Sequence, residues 1–266
     1  DHSLHSVTVG PDGKWVWNSG NMGAMFTDRS GKTFRIFSAY RANPVGPFKN
    51  AHDPAPFAGK PSDDGHVYIG GFTARMNADG TNVEVIGHNY RNSYEQSVTS
   101  LGDIFQNDND DPPACRVSWV MEYANFGFSS NDGQRSWQAD RRPGQTVPVS
   151  EWRQDDPGMA PVGDVYGGGS PTGNVFYENG ALGAGWEGTF FAAEPGRNEV
   201  FTYRPQRKGA GFDLNNRKIF LTSNVAQKYA GSDFIGGGGT ARGAVETLFR
   251  IRPDPADLAV RADGHG

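Results

Sequence analysis

Hydrophobic and polar positions alternate with a period of two along Leu4-His5-Ser6-Val7-Thr8-Val9. The run stops at Gly10-Pro11-Asp12-Gly13, and a second apolar run begins at Trp15-Val16-Trp17. Period two is the signature of a strand. Pro presets φ at the first turn position and Gly supplies the positive φ later, which predicts an antiparallel hairpin with strands near 4–9 and 14–19. A related unit recurs at Ala74–Val85 around Ala78-Asp79-Gly80, and more faintly at Asp257–Gly264. A strand–turn–strand unit repeating at wide spacing predicts an all-β chain, a β-propeller of four-stranded antiparallel blades.

Further short β-type runs fall at 66–76, 82–88, 94–100, 103–107, 116–122, 173–178, 188–193, 198–204 and 217–222, with Leu101-Gly102-Asp103 as another hairpin turn. Two stretches, about 43–64 and 126–168, carry no sustained period and read as loop insertions, which in a compact domain are usually functional or partner-facing. The hairpins amount to roughly three to four blades, whereas closed propellers have four to eight. The expectation is one propeller domain over 1–266 with both ends cut, completed by more of the polypeptide or by another chain.

Composition narrows the function classes. With 37 Gly, 17 Pro and 12% aromatic residues the chain is rich in turn and strand formers, and no long amphipathic helical stretch is visible. A net charge of −5 leaves no basic stripe for nucleic acid. No run approaches the roughly 20 apolar residues of a membrane span. Cys115 is the only cysteine, so the chain has no internal disulfide and no Cys-x-x-Cys-His haem attachment site, and the residue reads as buried packing.

Candidate chemistry concentrates at a few places. Asn107-Asp108-Asn109-Asp110-Asp111 offers oxygen ligands for a hard cation, with Asp108, Asp110 and Asp111 as candidate Ca²⁺ ligands; the alternative is an Asx-rich turn whose side chains bond the local backbone. His2 and His5 lie three apart on one strand and therefore point to opposite faces unless a bulge intervenes. His2, His52, His66 and His88 show no local metal-binding spacing. Trp137, Trp152 and Tyr166 in or near the second insertion either anchor it or stack on sugar rings.

Four segments together resemble the soluble quinoprotein glucose/sorbosone dehydrogenase superfamily of six-bladed propellers. They are Asp1–His5 with Gly10–Gly13, Gly87-His88-Asn89-Tyr90-Arg91-Asn92, Asn107–Asp111 with Val120–Gly127, and Gly169-Ser170-Pro171-Thr172-Gly173 with Tyr177. The likeness is nearest to the propeller domain of Planctomycetes–Verrucomicrobia-type membrane-bound dehydrogenases, and it covers most of 1–205. It implies a pyrroloquinoline quinone (PQQ) cofactor accompanied by Ca²⁺, a sugar or polyol substrate, a cytochrome-type electron acceptor or fused module, and a periplasmic or extracellular location. By the same resemblance His2 matches the general base, and Arg91 and Asn92 match the cofactor-contacting pair. Asn21, in Ser19-Gly20-Asn21-Met22-Gly23, stands where the family has an Asp that orients the His, and the later basic residues that clamp the quinone belong to a blade this chain largely lacks. Asn21 and the cut ends keep a second reading open: a non-catalytic ligand- or protein-binding propeller that scaffolds a larger assembly.

Overall fold

The structure, a computed structural model, describes residues 2–38, 58–110, 113–223 and 258–260. It falls into two compact units, Asp1–Tyr94 with Val120–Val162, and Glu95–Trp119 with Gly163–Gly266.

The first unit is built on β1 (Leu4–Val9), β2 (Trp15–Ser19), β6 (Gly71–Met76) and β7 (Glu84–Tyr90), in that order across an antiparallel sheet. The short β11 (Ala124–Asn125) joins in parallel beside β7. Between β2 and β6 the chain makes a second sheet of β3 (Ala24–Thr27), β4 (Thr33–Phe37) and β5 (Tyr68–Ile69). Phe34, Ile36, Tyr68, Phe72, Ala74 and Val85 from the two sheets form the core of this unit, and the partly buried Trp17 and Phe26 pack against it. Each fully buried ring contributes roughly 1.5–3 kcal/mol, so this contact fixes how the inserted sheet sits on the blade.

The second unit carries β8 (Ser93–Val98, from Glu95 onward), β9 (Ile104–Asp108), β10 (Cys115–Trp119) and β12 (Asp164–Gly167) in one sheet. Another holds β13 (Asn174–Tyr177), β14 (Thr189–Glu194), β15 (Glu199–Tyr203), β18 (Lys218–Ser223) and β19 (Leu258–Val260), with the hairpin β16 (Gln206–Lys208) and β17 (Gly211–Asp213) between β15 and β18. β14 is buried on both faces: Phe190 enters one apolar cluster with Phe105, Val117 and Phe201, and Phe191 enters another with Tyr177, Val200 and Leu221. The chain is all-β, and three successive four-stranded meanders begin at β1, β8 and β13. Such meanders are the blades of a propeller.

One turn geometry recurs. In 10–14, 28–32, 62–66, 77–81 and 99–103 the fourth residue is a Gly with positive φ whose N–H returns to the first residue's carbonyl, while the first residue and the fifth are joined by an N–H···O=C bond. This is a type I turn closed by a left-handed Gly. Where Asp precedes the Gly, as at Asp12, Asp64 and Asp79, its Oδ1 accepts the N–H two residues on. The predicted turns at 10–13, 78–80 and 101–103 all have this form.

Two expectations need correction. No strand is predicted over 24–37, yet Asp28-Arg29-Ser30-Gly31-Lys32 is the same turn and joins β3 to β4. The 126–168 insertion is not wholly irregular. It contains a 3-10 turn at Trp137–Asp140, a turn of α-helix at Val147–Glu151, and β12. Its fully buried anchor is Trp152, and the buried Arg153 guanidinium donates to the Gly127, Phe128 and Arg135 carbonyls and pairs with Asp140 at 3.0 Å. Of the other sequence-read features, residues 39–57, the turn after Val260 and Asp111 lie outside the described residues.

Candidate functional site

The first unit brings His2, Asn21, Arg91 and Asn92 to one corner. β2 ends at Ser19, and Gly20 donates its N–H to the Ser3 carbonyl while Met22 donates to that of His2, so the residues after β2 stay zipped to those before β1. Gly20 is required by close approach. A Cβ there would stand 2.7 Å from Asn92 Oδ1 and 2.9 Å from His2 Cα. The Asn21 N–H then donates to the Arg91 carbonyl at 2.7 Å, and the Ser38 hydroxyl donates to the Asn21 carbonyl. The backbone of Asn21 is thus held from two sides.

Its side chain faces His2. His2 Nδ1–H donates to Asn21 Oδ1 at 2.7 Å, and Asn21 is buried. With Nδ1 carrying the proton, the lone pair of the neutral ring is on Nε2, the form a general base needs. Burial lowers the His2 pKa to about 4; the hydrogen bond to Asn21 opposes this, and the nearby Arg91 guanidinium adds to it. The ring is therefore neutral at ordinary pH.

Arg91 and Asn92 lie in the short connection between β7 and β8. Their position is set by Asn89, which takes a left-handed φ of 68° that Asn tolerates better than most residues. Its amide donates to Asn125 Oδ1 and the Ser129 carbonyl and accepts the Ser129 N–H. Beyond the pair, the fully buried Asn18 of β2 donates to Ser93 Oγ at 2.8 Å and accepts from both Ser6 N–H and Ser6 Oγ. Asn18, Ser38 and Asn89 all act at this corner. Asn89 lies in the Gly87–Asn92 segment, but nothing in the sequence context of Asn18 or Ser38 separates them from ordinary strand and turn residues.

His5 also reaches this corner. The β1–β2 pairing shifts register between Leu4 and Ser6, a bulge at His5, and His5 Nε2 bonds Asn92 Oδ1 at 2.8 Å. His88, inside the Gly-His-Asn-x-Arg-Asn segment, has a structural partner: its Nδ1 accepts the Ile69 N–H at 3.4 Å, and burial lowers its pKa to about 4.

No protein-family model matches the chain, and no curated protein matches it at a significant level. Among solved structures it is similar to an oxidoreductase of Thermus thermophilus assigned as a glucose dehydrogenase, with 12% identity and a TM-score of 0.51 over 97% of this chain. It is also similar to the PQQ-bound aldose sugar dehydrogenase of Streptomyces coelicolor, with 13% identity and a TM-score of 0.47 over 82% of this chain. The fold is that of a β-propeller. The chain spans 64% of the length of the Thermus protein and 49% of that of the Streptomyces protein.

Of the other sequence-read segments, Val120–Gly127 lies in the first unit, while Asn107–Asp110 and Gly169–Gly173 lie in the second and meet one another there. Asn107 donates to the Thr172 carbonyl and accepts the Glu95 N–H, and Asn109 donates to the Gly169 carbonyl at 3.1 Å. The Gly169–Gly173 segment is seated on the fully buried Glu194, which accepts from Ser170 N–H and from the Tyr166 hydroxyl at 2.6 Å. A Cβ on Gly169 would lie 2.6 Å from that carboxyl, and burial raises the Glu194 pKa. Asp108 and Asp110 are fully buried beside this network. Among the described residues no three His, Cys, Asp or Glu side chains come together where a metal ion could sit. Cys115 is buried, and its thiol is pushed up to about 12 by desolvation and the surrounding carboxylates, so it stays protonated. Trp152 and Tyr166 are buried anchors, whereas Trp137 is 42% exposed. No helix among the described residues is long and apolar enough to cross a membrane.

Proposed function

We propose that this chain is a PQQ-type sugar or polyol dehydrogenase propeller of the soluble glucose/sorbosone dehydrogenase superfamily. The observation that carries the reading is the His2–Asn21 hydrogen bond, which holds a neutral imidazole with Nδ1 protonated and the basic lone pair on Nε2, on a backbone tied through Asn21 to Arg91. The fold likeness to the Thermus oxidoreductase supports it.

The donor set fits the cofactor. PQQ carries carboxylates, for which a guanidinium fork and an amide are suited partners, so Arg91 and Asn92 are the residues that would hold it. Bound PQQ supplies the hydride acceptor. The chain's own part is to take the hydroxyl proton at His2 Nε2 as the C–H bond breaks, with Asn21 Oδ1 holding the ring in the required tautomer. Calcium fits less well: Asn107 and Asn109 spend their side chains on loop-to-loop hydrogen bonds, and the described residues of that turn do not make a ligand set by themselves. A cytochrome-type electron acceptor and export to the periplasm follow from the family reading alone.

The test is to add PQQ, with and without Ca²⁺, to the purified protein with an artificial electron acceptor and a panel of sugars and polyols. Turnover that His2→Ala abolishes supports the reading. A second reading is favoured by Asn21, an amide that orients imidazole but cannot stabilise imidazolium by charge: a propeller that binds ligand without turning it over. Quinone binding without turnover on any substrate selects it.

A further inference from the structure

The general base and the cofactor pair leave His5 unused, although it is tied directly to one of them. On a regular strand His5 would face away from His2, but the bulge between Leu4 and Ser6 turns it to the same corner. There His5 Nε2–H donates to Asn92 Oδ1 at 2.8 Å, and the ring stacks on Tyr94 with centroids 4.9 Å apart and planes inclined by 26°. Burial lowers the His5 pKa, so the ring is neutral and has one N–H to give. An Asn amide can present either its oxygen or its nitrogen in a given direction; with Oδ1 fixed on His5, the Nδ2 donors take the other edge. The absence of a Cβ at Gly20 leaves room for Oδ1 in this orientation.

We propose that His5 is a positioning residue that, through Oδ1, fixes the orientation of the Asn92 amide at the ligand corner, and that Tyr94 is the surface that keeps the imidazole in place. The proposal rests on the reading of Asn92 as a cofactor contact.

The experiment is a titration of the apo-protein with PQQ, followed by fluorescence quenching and calorimetry. His5→Phe keeps a ring against Tyr94 and removes the N–H; it is expected to weaken PQQ about tenfold, as loss of a residue that orients a ligand-binding group commonly does. His5→Gln, which restores an N–H donor, is expected to stay within about threefold of wild type. In an Asn92→Ala background, His5→Phe is expected to add less than about twofold, because its effect passes through Asn92. Tyr94→Leu leaves the His5 N–H in place and is expected to show a smaller loss with the same dependence on Asn92, which keeps the test informative if His5→Phe folds poorly. Unchanged affinity in His5→Phe, or an equal loss with and without Asn92, overturns the inference while leaving the site reading intact. If the wild type itself fails to bind PQQ, the site reading falls and this inference falls with it.

Discussion

Asn21→Asp is the substitution whose effect follows most directly from the geometry. In the wild type a neutral amide oxygen lies 2.7 Å from His2 Nδ1, and burial holds the imidazole pKa at about 4. A carboxylate in the same place puts a negative charge roughly 4 Å from the ring centre, worth about 4 kcal/mol with an imidazolium at an effective dielectric of 20, or about 1 kcal/mol if water screens it fully. Divided by 1.36 kcal/mol per unit, this raises the His2 pKa by about one to three units, to roughly 5–7. As the proposed base, His2 must be neutral to act, so kcat/KM is expected to fall as pH drops through this pKa. The acid limb therefore stands near 4 in the wild type and moves upward in Asn21→Asp. Above both limbs the variant is faster: if half the proton transfer is complete in the transition state, half of a two-unit gain is realised, about 1.4 kcal/mol or tenfold. The assay is the pH profile of kcat/KM for the quinone-loaded protein, paired with NMR titration of the His2 ring. An unmoved acid limb together with an unmoved ring titration would refute the claim that residue 21 controls the base.

Arg91→Lys keeps the charge but loses the two-pronged guanidinium, and PQQ affinity is expected to fall about tenfold or more; equal affinity in a titration would reassign Arg91 to a structural role. Gly20→Ala drives a Cβ to within 2.7 Å of Asn92 Oδ1 and 2.9 Å of His2 Cα, and is expected to destabilise by about 1–3 kcal/mol in urea unfolding while weakening ligand binding; a neutral result would mean the corner is looser than its contacts imply. Acid stability follows from His88, whose pKa is about 4 in the folded chain against 6.5 for the free side chain. The unfolded chain binds the extra proton between those values, so stability is full above about pH 6.5, declines as pH falls toward 4 by up to about 3 kcal/mol from this group, and is flat below. His88→Gln is expected to flatten that decline in denaturant melts, and an unchanged slope would show that other groups set it.

Much of the fold can be read directly from the chain. Alternation around Gly10–Gly13 and the Asp-Gly turn at 79–80 announce the hairpins, because that turn chemistry is local and leaves its mark in adjacent residues. The β3–β4 hairpin escapes notice because its turn, Asp28-Arg29-Ser30-Gly31, lacks the Asp-Gly pair, although Gly31 takes the same left-handed φ. At the site, the His2–Asn21 contact is foreseeable from the resemblance, since His2 falls in its first segment and Asn21 stands where the family has the residue that orients the His. The contribution of His5 is hidden, because a bulge reverses the face that strand periodicity predicts for it. Glu194 is hidden for a different reason. A lone Glu ending an apolar strand carries no local sign that a glycine-rich loop from more than 20 residues earlier is seated on it.

The pairing of β2 with β6 has a consequence for how the site comes into being. Hairpins such as β1–β2 close a loop of a few residues, whereas β2 and β6 meet across the whole of 20–70. Closing roughly fifty residues instead of three costs about 2.5 kcal/mol more in chain entropy, and non-local pairings of this kind form late. The His2–Asn21 contact belongs to the early hairpin, but the bond from Asn21 to Arg91 exists only after β6 and β7 have docked. During refolding, strand signal and the His2 environment should therefore recover before ligand binding does, with binding competence as the reporter of the last cooperative step.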